Sequence, residues 1–324
     1  MASYVTKVLR SDGAVLEVVR LAAPRGTPRD SQVLALTDGT RLEREPQFSH
    51  YATWQLGSIQ SFITAMQSRE SAPHRPLGEI LRDVVDHLRR SVWLPFEGYY
   101  ALLAVYSAMS FVYQVFDAIP LLIVRGDKGT GKSELGEAVS KVSCNAVVIG
   151  QGSPAGVVRL MNEARGLVVL DDLESVGRAF EDISFGDISQ MLKLSYKKAT
   201  GRKAITDKNG RTTIFDFYGP KVINNTRGVD PILGSRMLYV HTRRIPDALR
   251  RSLTLTGSES EDLTRLRNEL HIWGMATASR VHTHYARLVG LRGDRQAEIA
   301  AHHRGDLWQR HDSRLTRGHP PAPI

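Results

Sequence analysis

Gly126-Asp127-Lys128-Gly129-Thr130-Gly131-Lys132-Ser133 fits the spacing G-x-x-x-x-G-K-[ST] at every position, and the apolar run Ile119–Val124 leads straight into it. No other stretch constrains the fold as much, because such a loop works only where a strand ends and a helix begins. Phosphate oxygens need several convergent N–H donors, and glycines allow the backbone to curl closely around them. Lys132 is placed to reach the β- and γ-phosphates, and Ser133 offers a hydroxyl to Mg²⁺. Ser133–Lys141 reads as the helix whose N-terminal amides and dipole favour the same anion. Residues 126–133 are therefore expected to bind a nucleoside triphosphate, ATP, together with Mg²⁺.

A second apolar strand, Gly166-Leu167-Val168-Val169-Leu170, ends in Asp171-Asp172. Beside a phosphate loop, Asp171 is expected to hold Mg²⁺ directly or through water and Asp172 to polarise the attacking water. In isolation, two solvated acids at a strand end would account for the pattern equally well. Asn224 and Asn225 end the run Lys221–Ile223, where an amide can orient water against the γ-phosphate, although Asn is also common in turns. Gly234-Ser235-Arg236 puts an arginine at the start of a further strand, placed either to stabilise transition-state charge in a neighbouring subunit's site or to serve as a plain surface cation.

From Ile119 onward the pattern alternates strand and helix, as a parallel α/β sheet requires. Ala146–Gly150 reads as a strand, and Ser153 as N-cap with Pro154 at the first helical position opens a helix over Pro154–Ala164. A helix is expected at Asp187–Lys198. Asn209-Gly210 lies between Lys203–Thr206 and Thr212–Phe217, a strong hairpin signal. Lys221–Ile223 and Met237–His241 read as a strand pair closing the core. Four segments result: a small β-rich unit over 1–50, helices over 51–117, a nucleotide-binding core over 118–250 with its basic hairpin at 203–217, and a helical, lid-like end over 251–324. Within 51–117 the helical periodicity covers Trp54–Gln67, Leu77–Leu94 and Tyr99–Phe116.

Charge separates the halves of the chain. Residues 1–196 carry 20 Lys and Arg against 22 Asp and Glu, whereas residues 197–324 carry 23 against 12, net +11. Lys197, Lys198, Arg202, Lys203, Lys208 and Arg211 fall on or just before the hairpin, which suits a backbone-tracking contact with single-stranded nucleic acid. A solvated basic surface is the plainer alternative. One cysteine, Cys144, excludes an internal disulfide, and charged residues interrupt the first 21 positions, so a cytoplasmic location is expected. Tyr99–Val124 approaches the length of a membrane span, but Pro120 breaks it and its end must feed the phosphate loop, which favours a buried helix followed by a buried strand.

In this order, phosphate loop, Asp-Asp strand, basic hairpin, Asn-ended strand and Ser-Arg resemble the superfamily 3 helicase and AAA+ group of additional-strand ATPases. Ala118–Ser133, Gly152–Glu174 and Phe217–Arg236 are similar to helicase-type ATPase domains encoded by bacterial mobile elements, plasmids and phages. The resemblance covers roughly 101–244. It implies an additional-strand P-loop NTPase (AAA+-like) α/β fold, a parallel sheet with flanking helices. It also implies phosphate and metal roles for Lys132 and Ser133, metal and base roles for Asp171 and Asp172, and a sensor role for Asn224 or Asn225. By the same resemblance Arg236 would be a finger into the next subunit of a ring, a hexamer, and Lys208 and Arg211 would lie on the hairpin that lines its channel. With the charge reading above, Lys203, Lys208 and Arg211 are expected to contact single-stranded or forked DNA. Many relatives have Glu where this chain has Asp172. The function so implied is Mg²⁺-dependent ATP hydrolysis coupled to DNA translocation or unwinding. The alternative is a nucleotide-switched ATPase of assembly or defence type that gates a protein partner, such as a replication or defence partner protein, without helicase activity.

Overall fold

Five short runs, most of them rich in β-branched residues, build one wholly parallel sheet: β5 (Leu121–Arg125), β6 (Val147–Ile149), β7 (Val168–Leu170), β10 (Lys221–Asn225) and β11 (Met237–His241). Parallel strands are covered on both faces, so they read as continuous apolar stretches; Leu121, Leu122, Ile123 and Val124 of β5 are each fully buried. The computed structural model describes residues 4–9, 15–20, 34–36, 48–49, 53–68, 74–150, 152–171, 190–206, 208–225, 234–246 and 261–315, with the backbone alone before 50 and beyond 290. Strand order is β11-β5-β10-β7-β6. Thus β10 lies between the strand that feeds the phosphate loop and the strand that ends at Asp171, with Asn224 beside Val124 and Ile223 beside Leu170. The sequence suggested that β10 and β11 pair with each other. Instead they take opposite sides of β5, because both run parallel to it and register with the same apolar residues, Leu122 to Val124.

Ahead of this sheet, β1 (Tyr4–Leu9), β2 (Val15–Arg20), β3 (Leu34–Leu36) and β4 (Phe48–Ser49) form a four-stranded antiparallel sheet in the order β3-β2-β1-β4. Three helices follow, α1 (Leu56–Ser68), α2 (Leu77–Ser91) and α3 (Gly98–Met109). The third stops well short of Phe116. At its end Phe111 and Val112 bond back three residues rather than four, and Ser110 Oγ accepts from the Cys144 amide, so the chain tightens into a 3₁₀ turn at Tyr113–Val115 and re-enters the sheet. Among the described residues no helix is long and apolar enough to cross a membrane.

The sheet's helices are α4 (Lys132–Ser140), α5 (Pro154–Ala164) and a helical stretch at 190–195. Between the last of these and β10, β8 (Arg202–Thr206) and β9 (Thr212–Asp216) form an antiparallel hairpin. Gly210 at its tip has φ +77°, the left-handed region that the Asn-Gly turn demands. Toward the C-terminal side the described residues form helix α6 (Glu261–Leu315). The chain divides into two units, 1–279 and 280–324. In the first, α6 buries Leu263, Leu266, Leu270 and Ala278, and the ring of its His271 stacks on Trp54 at 4.2 Å. In the second, the described part is helix over 280–315.

Candidate functional site

The phosphate loop connects β5 to α4, and its geometry follows from its glycines. Gly129 and Gly131 have φ +74° and +85°, where a side chain would be strained, and Gly131 is the N-cap of α4. Gly126 is needed for space instead. A Cβ there would lie 2.1 Å from Thr242 Oγ1 and 2.7 Å from the Thr242 carbonyl oxygen. The Thr130 hydroxyl faces inward, bonding Thr242 Oγ1 at 2.8 Å and donating to the Asp127 carbonyl at 2.8 Å. Thr242, one residue past β11, thereby pins the loop to the last strand of the sheet. A lone threonine after an apolar strand carries no motif, and sequence reasoning had no signal for it.

Lys132 Nζ donates to the carbonyls of Gly126 and Asp127 at 2.9 and 2.8 Å, which holds the ammonium across the mouth of the loop. The first-turn amides of α4 have no intrahelical acceptor, as at any helix start, and are available to an anion. Ser133 Oγ donates to Asp171 Oδ1 at 3.1 Å, bringing the end of β7 against the start of α4. Asn224, 2 % exposed, donates from Nδ2 to the same carboxylate oxygen at 2.8 Å and to the Lys132 carbonyl at 3.0 Å. Its Oδ1 is buried with no hydrogen-bond partner among the described residues. The central strand therefore aims one amide at both halves of the site.

A hydroxyl and a carboxylate this close are hard oxygen donors of the kind Mg²⁺ takes from proteins, the rest of its shell coming from phosphate and water. Among the described residues no group of three or more His, Cys, Asp or Glu could cage a metal by itself. Asp172 lies outside the described residues, and for Asn225, the last residue of β10, only the backbone is described.

Arg236 is held within its own chain. Its Nη1 donates to the Lys193 carbonyl, and its guanidinium lies 4.6 Å from the centre of the Tyr196 ring. That contact fixes β11 to the segment preceding the hairpin, whose Tyr196 carbonyl accepts from the Ile119 amide at 2.8 Å. A second residue without a sequence signal, His87 of α2, donates from Nε2 to the Ala138 carbonyl of α4 at 3.0 Å, and burial lowers its pKa, keeping the ring neutral.

The hairpin leaves the body of the chain at a braced base. Asp216 pairs with Arg165 at 2.8 Å, its amide donates to Asn162 Oδ1 at 2.9 Å, and its Oδ1 accepts from the Tyr218 amide at 3.0 Å. Lys203, Lys208 and Arg211 are exposed along the arm and tip, but Lys198 turns inward to donate to the Gln114 carbonyl at 2.9 Å. Lys221, 1 % exposed, donates to the carbonyls of Phe217 and Gly219 at 2.7 and 3.0 Å, closing the turn between hairpin and β10. Burial pulls its pKa down to about 7, against the upward pull of Asp216. Between that value and the ordinary 10.5 the unfolded chain binds more protons than the folded one, so this group's contribution to stability is full at high pH and is lost as pH falls toward 7. Urea unfolding is expected to show a higher midpoint at about pH 9 than at pH 7, and Lys221→Met to flatten the difference. An unchanged pH dependence in the variant would count against a titrating Lys221.

No family model and no curated protein matches the chain. Solved structures that resemble it include that of an inhibitor bound to JCV helicase (14% identity, 73% of this chain and 67% of that one, TM-score 0.32) and that of JCV helicase (16%, 71% and 66%, 0.31). A third is the apo structure of the NrS-1 C-terminal region (15%, 62% and 47%, 0.33). The chain thus spans about two thirds of the first two and under half of the third. At such TM-scores the overlap is loose, and the fold assignment stands on the strand order itself. With an extra strand, β10, inserted between the phosphate-loop strand and the Asp171 strand of a five-stranded parallel sheet, the chain has the additional-strand P-loop NTPase fold.

Proposed function

We propose that this chain is a Mg²⁺-dependent ATPase of the superfamily 3 and AAA+ kind that assembles as a ring and moves along, or unwinds, DNA. The observation that carries this reading is the convergence of Lys132, Ser133, Asp171 and Asn224 at one end of a strand whose other end anchors a basic hairpin. Lys132, released from the two loop carbonyls, would bind the β- and γ-phosphates, while α4 offers its first-turn amides. Ser133 and Asp171 would hold Mg²⁺, which supplies charge neutralisation for those phosphates. Asn224 orients the Asp171 carboxylate, and its unpartnered Oδ1 is an acceptor for water at the γ-phosphate. Asp172 is the candidate base, with single-stranded or forked DNA as the partner of Lys203, Lys208 and Arg211.

The test is ATP hydrolysis with and without single-stranded DNA, together with strand binding across a salt series. If phosphates are tracked, log affinity falls linearly with log salt, and Lys208→Glu with Arg211→Glu should reduce that slope by about 2 and remove stimulation by DNA. Full stimulation in the double variant would take the hairpin out of the mechanism.

A second reading is a nucleotide-switched ATPase that gates a replication or defence partner protein. It is favoured by Arg236, whose guanidinium is engaged by Lys193 and Tyr196 of its own chain instead of standing out as a finger for a neighbour. Absence of strand binding at low salt, with ATP hydrolysis intact, would select it.

A further inference from the structure

A cavity of about 290 Å³ opens at the foot of the hairpin, between α5, the helical stretch 190–195 and β8. Its walls are apolar. Val158, Met191 and Phe217 line it at 4, 5 and 2 % exposure, so its floor belongs to the core and is fixed in place. Its mouth is polar and basic: Gln190, Arg202 and Lys203 are exposed at the rim. Arg202 keeps 59 % of its side chain exposed, and its ion-pair contact among the described residues is a 4.0 Å one to Asp216, so among these its charge is little compensated.

The volume is at the lower limit of sites for drug-sized ligands, which suits a single flat ring system rather than a whole nucleotide. An apolar slot with a rim amide and two cations matches the chemistry of one base and its adjoining phosphate: the ring is desolvated, its edge meets an amide, and the anion meets the guanidinium and ammonium. Neither cation belongs to the hairpin tip. Both lie on β8 beside the cavity, where a strand passing from Lys208 and Arg211 toward the body of the chain would reach them.

We propose that this cavity takes one unstacked base of a bound single strand, with the neighbouring phosphate resting on Arg202 and Lys203. The inference rests on the strand-binding reading above and adds to it a base-dependent contact, since tracking phosphates alone requires no cavity. A base held there would be withdrawn from stacking at each step, and the preference would be tolerant of sequence because every base has an apolar face.

The experiment compares two oligonucleotides of equal length and phosphate number, one of thymidines and one of abasic residues, binding to the full chain at low salt. The base-bearing strand should bind about tenfold tighter. Ala155→Trp, an exposed position at the cavity wall, fills the space; it should lower affinity for the thymidine strand to that of the abasic strand and leave abasic binding unchanged. Retained abasic binding shows at the same time that the variant is folded. Equal affinity of the native chain for both strands, or a preference that survives Ala155→Trp, overturns the proposal while leaving strand binding intact. If neither strand binds, the strand-binding reading fails and the cavity proposal falls with it.

Discussion

Lys132→Ala is expected to reduce ATP hydrolysis by about 10³-fold, the upper range for loss of one preorganised donor at developing charge. Two effects add. The ammonium that would meet the β- and γ-phosphates is gone, and so are its bonds to the carbonyls of Gly126 and Asp127, which in this structure draw the two sides of the loop together. Lys132→Arg should recover little, because a planar fork cannot take the place of a compact point charge between two carbonyls. Phosphate release under saturating ATP measures the first effect, and binding of a fluorescent ATP analogue measures the second. Hydrolysis within tenfold of the native rate in Lys132→Ala would refute the nucleotide site as drawn.

Asn224→Ala should be nearly as damaging, for a different reason. Asn224 is buried and spends both amide hydrogens, on the Asp171 carboxylate and on the Lys132 carbonyl. Removing it takes one donor from each acceptor, at a net cost of about 1 kcal/mol per bond, leaves Asp171 Oδ1 with Ser133 as its remaining partner, and frees the carboxylate to rotate. Hydrolysis should fall about 10²-fold in kcat, since misplacement by about 1 Å has effects of that order, while KM changes far less because Lys132 and the α4 amides remain. A loss carried mainly in KM would show that Asn224 acts on ground-state binding rather than on positioning.

How far the sequence discloses this architecture depends on whether a feature has a local chemical cause. The ends of α5 are legible to the residue because Ser153 accepts from the Gly156 amide and Pro154 fixes the first turn. The hairpin is legible because Asn209-Gly210 admits few other turns, and the phosphate loop because no other chain geometry needs that spacing. What escapes is set by contacts between distant segments. Thr242 matters only once β11 has been placed beside β5, and the strand order that places it is a property of the folded sheet, not of any window. Arg236 reads as a free cation until Lys193 and Tyr196 are brought beneath it. Lys221 is the clearest case: in sequence it only opens the strand Lys221–Ile223, with nothing to mark a lysine for burial, yet in the fold it is among the most deeply buried side chains, held by two carbonyls of the adjoining turn.

The five residues of β10 join that buried lysine to Asn224, and the strand is paired with β5 over 222–225 and with β7 over 221–223. Adding or removing one residue within it would exchange the two faces of the strand, so that either the hairpin foot or the nucleotide-site amide would be presented the wrong way. Related sequences should therefore keep the interval from Lys221 to Asn224 free of insertions and deletions, while the length of the exposed hairpin tip around Gly210 drifts. Comparative genomics can thus detect the mechanical link between the two ends as a fixed spacing, even where the residues themselves have changed.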